Sequence, residues 1–217
     1  MKVDIVASVL AANDALARQN RDFFREAGIY VINLISSPGS GKTTILERTV
    51  DCLRGRLSMG VIEGDVYTRR DADRIEKKGI PAVQINTGGG CHLNAGMVAG
   101  ALAGLPLMEL DLIFIENVGN LVCPAEYDLG EDAKVVVLSV TEGNDKPCKY
   151  PSVFRKSGAV IANKVDLLPY TDFQLSEFNS DVLAINPGLT VFPLSARDGK
   201  GFGAWCDWIV RMTAGKS

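Results

Sequence analysis

The chain has 217 residues, 47% of them hydrophobic, and its 23 Lys and Arg residues nearly balance its 26 Asp and Glu residues. The resulting net charge of -3 excludes a general electrostatic attraction to nucleic acid or to an anionic membrane, so neither is expected as a partner. The apolar run at residues 5–12 is too short and too interrupted for a membrane span or a signal peptide. We therefore expect one domain over residues 1–217, a cytoplasmic location and five cysteines that stay reduced.

The predicted elements begin with an amphipathic helix over residues 1–27, in which apolar side chains including Val9, Leu16, Phe23 and Phe24 recur at roughly helical spacing. Apolar runs rich in β-branched residues then predict buried strands at residues 30–35, 61–62, 82–85, 112–115, 135–140, 160–162 and 190–192. Helix-compatible stretches lie between them at residues 43–53, 71–78, 94–103, 151–156, 172–184 and 202–212. This alternation predicts an α/β fold, a parallel sheet covered by helices on both faces, with ligands bound at the carboxyl ends of its strands.

A phosphate loop is predicted where the first strand meets the following helix. Residues 36–43 read Ser-Ser-Pro-Gly-Ser-Gly-Lys-Thr, with Ser36 where such loops usually have their first glycine. The glycines let backbone N–H groups turn toward a polyphosphate, while Lys42 is expected to reach the β and γ phosphates and Thr43 to bind Mg²⁺. Residues 28–217 are therefore predicted to be the nucleotide-binding core of a P-loop NTPase domain. The predicted nucleotide-binding residues of the loop are Pro38, Gly39, Ser40, Gly41, Lys42, Thr43 and Thr44.

Two acidic residues complete the predicted phosphate end of this site. Asp65 follows the second strand and Glu116 ends the fourth, where a carboxylate would face Mg²⁺. Glu116 begins Glu-Asn-Val-Gly, which takes the place of the usual Asp-x-x-Gly switch, and the longer side chain is expected to act directly or through a metal-bound water. The backbone N–H of Gly119 is expected to sense the γ-phosphate. Lys42, Thr43, Asp65, Glu116 and Gly119 are thus the candidate catalytic residues, and no catalytic base is evident.

Selection of guanine is predicted from Asn-Lys-Val-Asp at residues 163–166, after the sixth strand. The Asp166 carboxylate accepts hydrogen bonds only, which suits the N1–H and the amine of guanine and has no matching donor pair in adenine. Asn163 is expected to bond the base and the phosphate loop, and the stem of Lys164 to cover the ring. Ser195 and Ala196, after the last strand, are expected to place a backbone donor at the guanine carbonyl.

A second constellation consists of soft and borderline metal ligands. Cys91 and His92 follow three consecutive glycines, and Cys123 follows the Glu116 strand. Thiolate with imidazole suits Ni²⁺ or Zn²⁺, although adjacent Cys and His on their own are more often simply packed residues.

Together these motifs resemble the hydrogenase nickel-incorporation GTPases, the HypB family of metallochaperones, along essentially the whole chain. The match includes the phosphate loop, Gly64-Asp65 with residues 68–71, Cys91-His92, and residues 116–124, 141–143 and 163–166. The resemblance implies an all-parallel sheet, and it implies that Cys91, His92 and Cys123 hold nickel or zinc near the interface of a GTP-promoted homodimer. The hydrogenase large subunit and another nickel accessory protein are the implied partners.

The functional hypothesis is a GTP-hydrolysing nickel metallochaperone for [NiFe]-hydrogenase maturation. Because one short loop separates Glu116 from Cys123, hydrolysis that releases Gly119 is expected to move a metal ligand. A urease-type nickel accessory GTPase is an alternative, but that family has a Cys-Pro-His pattern instead of adjacent Cys91 and His92. A P-loop small-molecule kinase would not need residues 163–166. A GTP switch with only a structural zinc also stays open.

The remaining marked residues are predicted to have structural roles. Cys52 and Cys206 are expected in the core within helices, and Trp205 and Trp208 as packing residues of the last helix. Cys148 is expected to be an exposed thiol in a loop.

Overall fold

The computed structural model describes residues 5–65 and 70–216, with side chains described for all of these except residues 5–8, 70 and 71. The strands are β1 (Tyr30–Ser36), β2 (Met59–Asp65), β3 (Ala82–Asn86), β4 (Leu112–Gly119), β5 (Ala133–Ser139), β6 (Ala159–Asn163) and β7 (Thr190–Pro193). The α-helices are α1 (Ile5–Glu26), α2 (Lys42–Leu53), α3 (Arg70–Glu76), α4 (Ala95–Ala101), α5 (Cys123–Glu126), α6 (Lys146–Lys149), α7 (Pro151–Arg155), α8 (Leu175–Ile185) and α9 (Phe202–Ala214). Within these described helices, none has the length and hydropathy needed to span a membrane.

The strands form one seven-stranded sheet in the order β3-β2-β4-β1-β5-β6-β7. Every neighbouring pair is parallel, which confirms the predicted fold class. β1 lies at the centre between β4 and β5, so the loop after β1 is flanked by the carboxyl ends of both neighbours. The topology thereby gathers the predicted site residues, which lie at or after the carboxyl ends of β1, β2, β3, β4, β6 and β7, at one edge of the sheet.

Successive residues of a strand point to opposite faces of the sheet, and both faces are buried because helices cover them. In β1, Ile32 and Leu34 pack with α2, α3 and α9, whereas Val31 and Ile35 face the side covered by α1, α4, α7 and α8. Trp205 is fully buried against Phe192, which agrees with its predicted packing role.

The N-terminal helix α1 is present as predicted, and Phe24 of its apolar pattern is fully buried, but three other residues of that pattern are not. Val9, Leu16 and Phe23 are 48%, 40% and 40% exposed, whereas Asn13 and Asn20 are buried. Asn20 Nδ2 donates to the carbonyl oxygens of Ala95 and Leu129 at 2.9 Å each. Asn13 Nδ2 donates to the Asp128 carbonyl at 2.8 Å, and Asn13 Oδ1 accepts from the Ala95 N–H. The helix therefore docks through amide hydrogen bonds, which an apolar pattern does not reveal.

The cysteine prediction was partly wrong. Cys52 and Cys206 lie in α2 and α9 at the core, as expected, but the structure joins them in a disulfide with Cα atoms 6.7 Å apart. Their separation of 154 residues along the chain gave no sign that these helices pack side by side. Cys91, Cys123 and Cys148 are free, and Cys148 lies in the short helix α6 instead of a loop.

Candidate nucleotide and metal site

The phosphate loop connects β1 to α2 and depends on two glycines in the left-handed region. Gly39 and Gly41 have φ angles of 75° and 97°. A Cβ atom on Gly41 would lie 2.6 Å from Asn163 Nδ2, so no larger residue fits there without displacing that side chain. Lys42 Nζ donates to Ser36 Oγ at 2.7 Å, which gives the unusual first serine of the loop a contact.

The start of α2 meets the carboxyl end of β4 through a pair of oxygen-bearing side chains. Thr43 Oγ1 donates to Glu116 Oε1 at 2.8 Å, and both side chains are buried. Hydroxyl and carboxylate oxygens beside a phosphate loop are the donors that Mg²⁺ prefers. Contrary to the predicted end of the strand, Glu116 lies inside β4, which continues to Gly119.

A cavity of about 270 Å³ opens over this pair and has the position expected for phosphates. It is lined by Gly39, Ser40, Gly41, Lys42, Thr43, Thr44, Arg74 and Glu116. Asp65 lies at the end of β2, partly buried, and is not among these lining residues. Gly119, which is also absent from that lining, lies against the loop, since a Cβ on it would lie 3.2 Å from Pro38 Cα.

Asn163 ties the predicted base-binding end to the phosphate loop. Its Nδ2 donates to the Ser40 carbonyl at 2.8 Å, and its Oδ1 accepts from the Ala196 N–H at 3.0 Å. Asp166 Oδ1 accepts from Ser195 Oγ at 2.7 Å. The arrangement holds the Asp166 carboxylate, which only accepts hydrogen bonds, near the loop that carries Ser195 and Ala196. Guanine recognition requires such an acceptor.

Lys164 reaches back over the phosphate loop. Its Nζ donates to the Gly39 carbonyl at 2.8 Å, and its backbone has a φ of 63°, in the left-handed region. That conformation costs a non-glycine residue free energy and is typical of functional sites. The extended stem of Lys164 is thereby laid between the base-binding loop and the phosphate loop.

The three predicted metal ligands converge. One ligand atom each from Cys91, His92 and Cys123 lies within 4.8 Å of the other two, and Cys91 Sγ is 3.5 Å from His92 Nδ1. Two soft sulfurs and an imidazole nitrogen within this reach fit Ni²⁺ or Zn²⁺. Asn120 braces the cluster, because its Nδ2 donates to the Cys91 carbonyl at 3.2 Å and its Oδ1 accepts from the Val122 N–H at 3.0 Å.

Local contacts set the protonation of these ligands. The hydrogen bond with the Cys123 thiol, together with burial, raises the pKa of Cys91 above its ordinary value. Burial lowers the pKa of His92, whose ring stacks on Tyr127 with centroids 3.8 Å apart. The lowered pKa of His92 favours the neutral imidazole that metals bind, whereas the raised pKa of Cys91 favours the thiol, from which metal binding must displace a proton.

The sequence did not identify Arg74 or Tyr127 as site residues. Arg74 lines the phosphate cavity from α3, and its guanidinium lies 2.6 Å from Glu47 Oε2 and 3.3 Å from Thr44 Oγ1. One arginine in a charged helix carries no signal of its own in a sequence. Of the motif at residues 68–71, Thr68 and Arg69 lie outside the described residues, as do the side chains of Arg70 and Asp71.

Comparison with known proteins agrees with this geometry. The sequence model of the family described as CobW/HypB/UreG, nucleotide-binding domain, matches residues 30–193. The hydrogenase maturation factor HypB of Azotobacter vinelandii is 52% identical over 96% of this chain and 69% of its own length. The hydrogenase/urease maturation factor HypB of Helicobacter pylori is 44% identical over 91% and 83%. A crystal structure of HypB from Helicobacter pylori in complex with nickel superimposes with a TM-score of 0.90 at 41% identity, covering 94% of this chain and 95% of that one.

Proposed function

We propose that this chain, which belongs to the HypB family of hydrogenase maturation factors and is a P-loop GTPase, couples GTP hydrolysis to the transfer of nickel during [NiFe]-hydrogenase maturation. The observation that carries the proposal is the placement of Cys91, His92 and Cys123 within 4.8 Å of one another. Cys91 and His92 lie on the loop after β3, and Cys123 begins α5 after β4, at the sheet edge that also holds the phosphate loop.

The phosphate end of the site binds and positions the triphosphate. Lys42 exchanges its contact with Ser36 for the β and γ phosphates, and the N–H groups of the loop surround the same oxygens. Thr43, Glu116 and Asp65 would hold Mg²⁺, which neutralises charge on the phosphates when bound. Within the described part of the chain no side chain stands out as a catalytic base, so we expect slow intrinsic hydrolysis.

The base end selects GTP. Asp166, oriented by Ser195, accepts from guanine, and the Ala196 loop is fixed against the phosphate loop through Asn163. Because both ends share Asn163, binding of the base and binding of the phosphates support one another.

Nickel is the cargo of the metal site in this proposal. Three ligands leave its coordination incomplete in one chain, and Val122, beside Cys123, is 56% exposed. A second copy of the chain, brought in when GTP is bound, would complete the coordination. The nickel complex of the Helicobacter pylori relative supports nickel over zinc as the ion carried.

The segment from Gly119 to Cys123 connects the nucleotide to the metal. Gly119 contacts Pro38 of the phosphate loop, and only residues 120–122 separate it from Cys123 at the start of α5. Loss of the γ-phosphate that releases Gly119 would therefore shift Cys123 and change the affinity for nickel. The acceptors we propose are the hydrogenase large subunit and another nickel accessory protein, in the cytoplasm, with residues 1–217 acting as one unit.

The test compares Cys91→Ser with Cys148→Ser. Cys148 is also an exposed thiol, but it lies on α6, outside the metal cluster. Equilibrium dialysis against Ni²⁺ should show loss of nickel binding in Cys91→Ser alone, with GTP affinity and melting temperature close to wild type. A drop in the melting temperature of the purified protein would instead favour a structural zinc. Unchanged nickel binding by Cys91→Ser would contradict the proposal.

One observation keeps a second function in view. The Helicobacter pylori relative is named a hydrogenase/urease maturation factor. Delivery of nickel to urease would use the same site, and reconstitution with apo-urease in place of the hydrogenase subunit would distinguish the two acceptors.

A further inference from the structure

Leu93 follows the metal ligands Cys91 and His92 directly and is fully buried beneath them. Its backbone N–H donates to Asn117 Oδ1 at 3.2 Å. Its side chain lies on the backbone of β2, since a Cβ on Gly64 would stand 2.7–2.9 Å from three carbon atoms of Leu93. Leu93 thus anchors the segment that carries Cys91 and His92 to both β2 and β4.

The two strand residues that hold Leu93 are next to the proposed magnesium ligands. Gly64 precedes Asp65 in β2, and Asn117 follows Glu116 in β4. A displacement of Asp65 or Glu116 therefore needs to cross only one peptide unit to reach a residue that contacts Leu93.

Asn117 is held too firmly to absorb such a displacement by rotating. It is buried, its Oδ1 also accepts from the Val118 N–H at 3.0 Å, and its Nδ2 donates to Asn33 Oδ1 at 3.2 Å. Asn33 in turn donates to the buried Glu131 at 3.1 Å. Rotation of Asn117 would leave several buried polar groups unpaired, which is unfavourable because buried donors and acceptors need hydrogen-bond partners.

We propose that Leu93 is a positioning residue that transmits the state of the phosphate site to Cys91 and His92, a second connection in addition to the Gly119 to Cys123 segment. The inference rests on the proposed coupling of nucleotide and metal. It adds that both halves of the metal site respond to the nucleotide. Cys123 moves with the end of β4 through residues 120–122, whereas Cys91 and His92 move with β2 and β4 through Leu93.

The chain provides a matched control at the other end of β2. A Cβ on Gly60 would lie 2.7 Å from Leu110 Cδ1, and Leu110 is buried in the same apolar cluster as Leu93. Leu110→Ala therefore removes the same atoms from an equivalent contact that is far along the strand from the site. Gly60→Ala and Gly64→Ala are the corresponding pair on the strand side.

The experiment measures alkylation rates of Cys91 and Cys123 in the metal-free full-length protein, with GDP and with a non-hydrolysable GTP analogue. Cys148, which is exposed on α6, serves as the internal reference. We expect the alkylation rate of each thiol in the wild type to differ by about fivefold or more between the two nucleotides. About fivefold is the lower end of the usual coupling between two sites. In Leu93→Ala the difference should disappear at Cys91 and persist at Cys123, whereas Leu110→Ala should behave as wild type.

Three results would overturn the inference. If Leu93→Ala keeps the Cys91 difference, Leu93 transmits nothing; if Leu110→Ala also loses it, the effect reflects general loss of packing. If the wild type responds at Cys123 alone, the proposed coupling stands and only the Leu93 connection fails. A wild type with no response at either thiol would refute the coupling itself. Should Leu93→Ala fold poorly, Gly64→Ala replaces it, with Gly60→Ala as control and the same expected loss at Cys91.

Discussion

At the residue scale, the choice of nucleotide depends on the Asp166 carboxylate. Asp166→Asn replaces one of the two acceptor oxygens with an NH₂ donor. The guanine N1–H and amine then no longer each have an acceptor. We expect GTP affinity to fall by roughly 1.5–3 kcal/mol, about 10- to 100-fold. Affinity for xanthosine triphosphate should rise, because xanthine has a carbonyl where guanine has its amine.

Isothermal titration of the wild type and the variant with both nucleotides would check this. Ser195→Ala is a milder control, since it removes the 2.7 Å contact to Asp166 and a 3.3 Å bond accepted from the Asp198 N–H but keeps the carboxylate. An unchanged preference for GTP would mean that another group reads the base.

Residues whose chemistry is dictated by the nucleotide could be predicted from the sequence. Lys42 and Asp166 stand in short segments whose spacing follows the shape of GTP, so their neighbours identify them. Arg74 and Leu93 could not, because each acquires its role only when distant elements pack together. The Cys52–Cys206 disulfide was missed for the same reason.

At the element scale, α1 is attached to the core partly through an ion pair between Arg21 and Asp128. Arg21 Nη2 lies 2.7 Å and 2.8 Å from the two carboxylate oxygens of Asp128. Burial alone would raise the pKa of Asp128, but the hydrogen bonds from Arg21 and the Gly130 N–H outweigh it and lower the pKa below its ordinary value. The ion pair therefore stabilises the fold above the ordinary aspartate pKa, and this contribution is lost as the pH falls through the lowered pKa.

Arg21→Gln should accordingly lower the free energy of unfolding by roughly 0.5–1 kcal/mol at neutral pH, since the pair is partly exposed. The difference from wild type should shrink in acid as Asp128 gains its proton. Urea unfolding across the acidic range measures it, and Arg25→Gln, which loses only a pair to Asp22 within α1, is the control. A difference that stays constant or grows in acid would refute the assignment.

Elements were predicted well where burial is apolar and poorly where it is polar. All seven strands of the sheet coincide with apolar runs of the sequence. The buried face of α1 and the extension of β4 through Asn117 were not predicted, because buried amides look like surface residues in a sequence. Their burial is possible only because hydrogen bonds to Ala95, Leu129 and Asn33 satisfy them.

At the scale of the whole molecule, the incomplete ligand set predicts that nickel is shared between two chains. Native mass spectrometry with limiting Ni²⁺ and a GTP analogue should detect nickel on dimers. With GDP in place of the analogue, nickel should be detected on monomers. Cys123→Ser should lose the metal-bearing dimer, whereas Cys148→Ser should keep it. Equal amounts of nickel on monomers in both nucleotide states would exclude a shared site.

The central claim is that nucleotide state and nickel affinity are linked through this one sheet edge. The most direct measurement is a nickel titration of the wild-type protein with GDP and with a non-hydrolysable GTP analogue. It is paired with the reciprocal titration of the analogue with and without nickel. We predict that nickel affinity differs by about fivefold or more between the two states, and that the reciprocal titration gives the same factor. Equal nickel affinity in both nucleotide states would contradict the account.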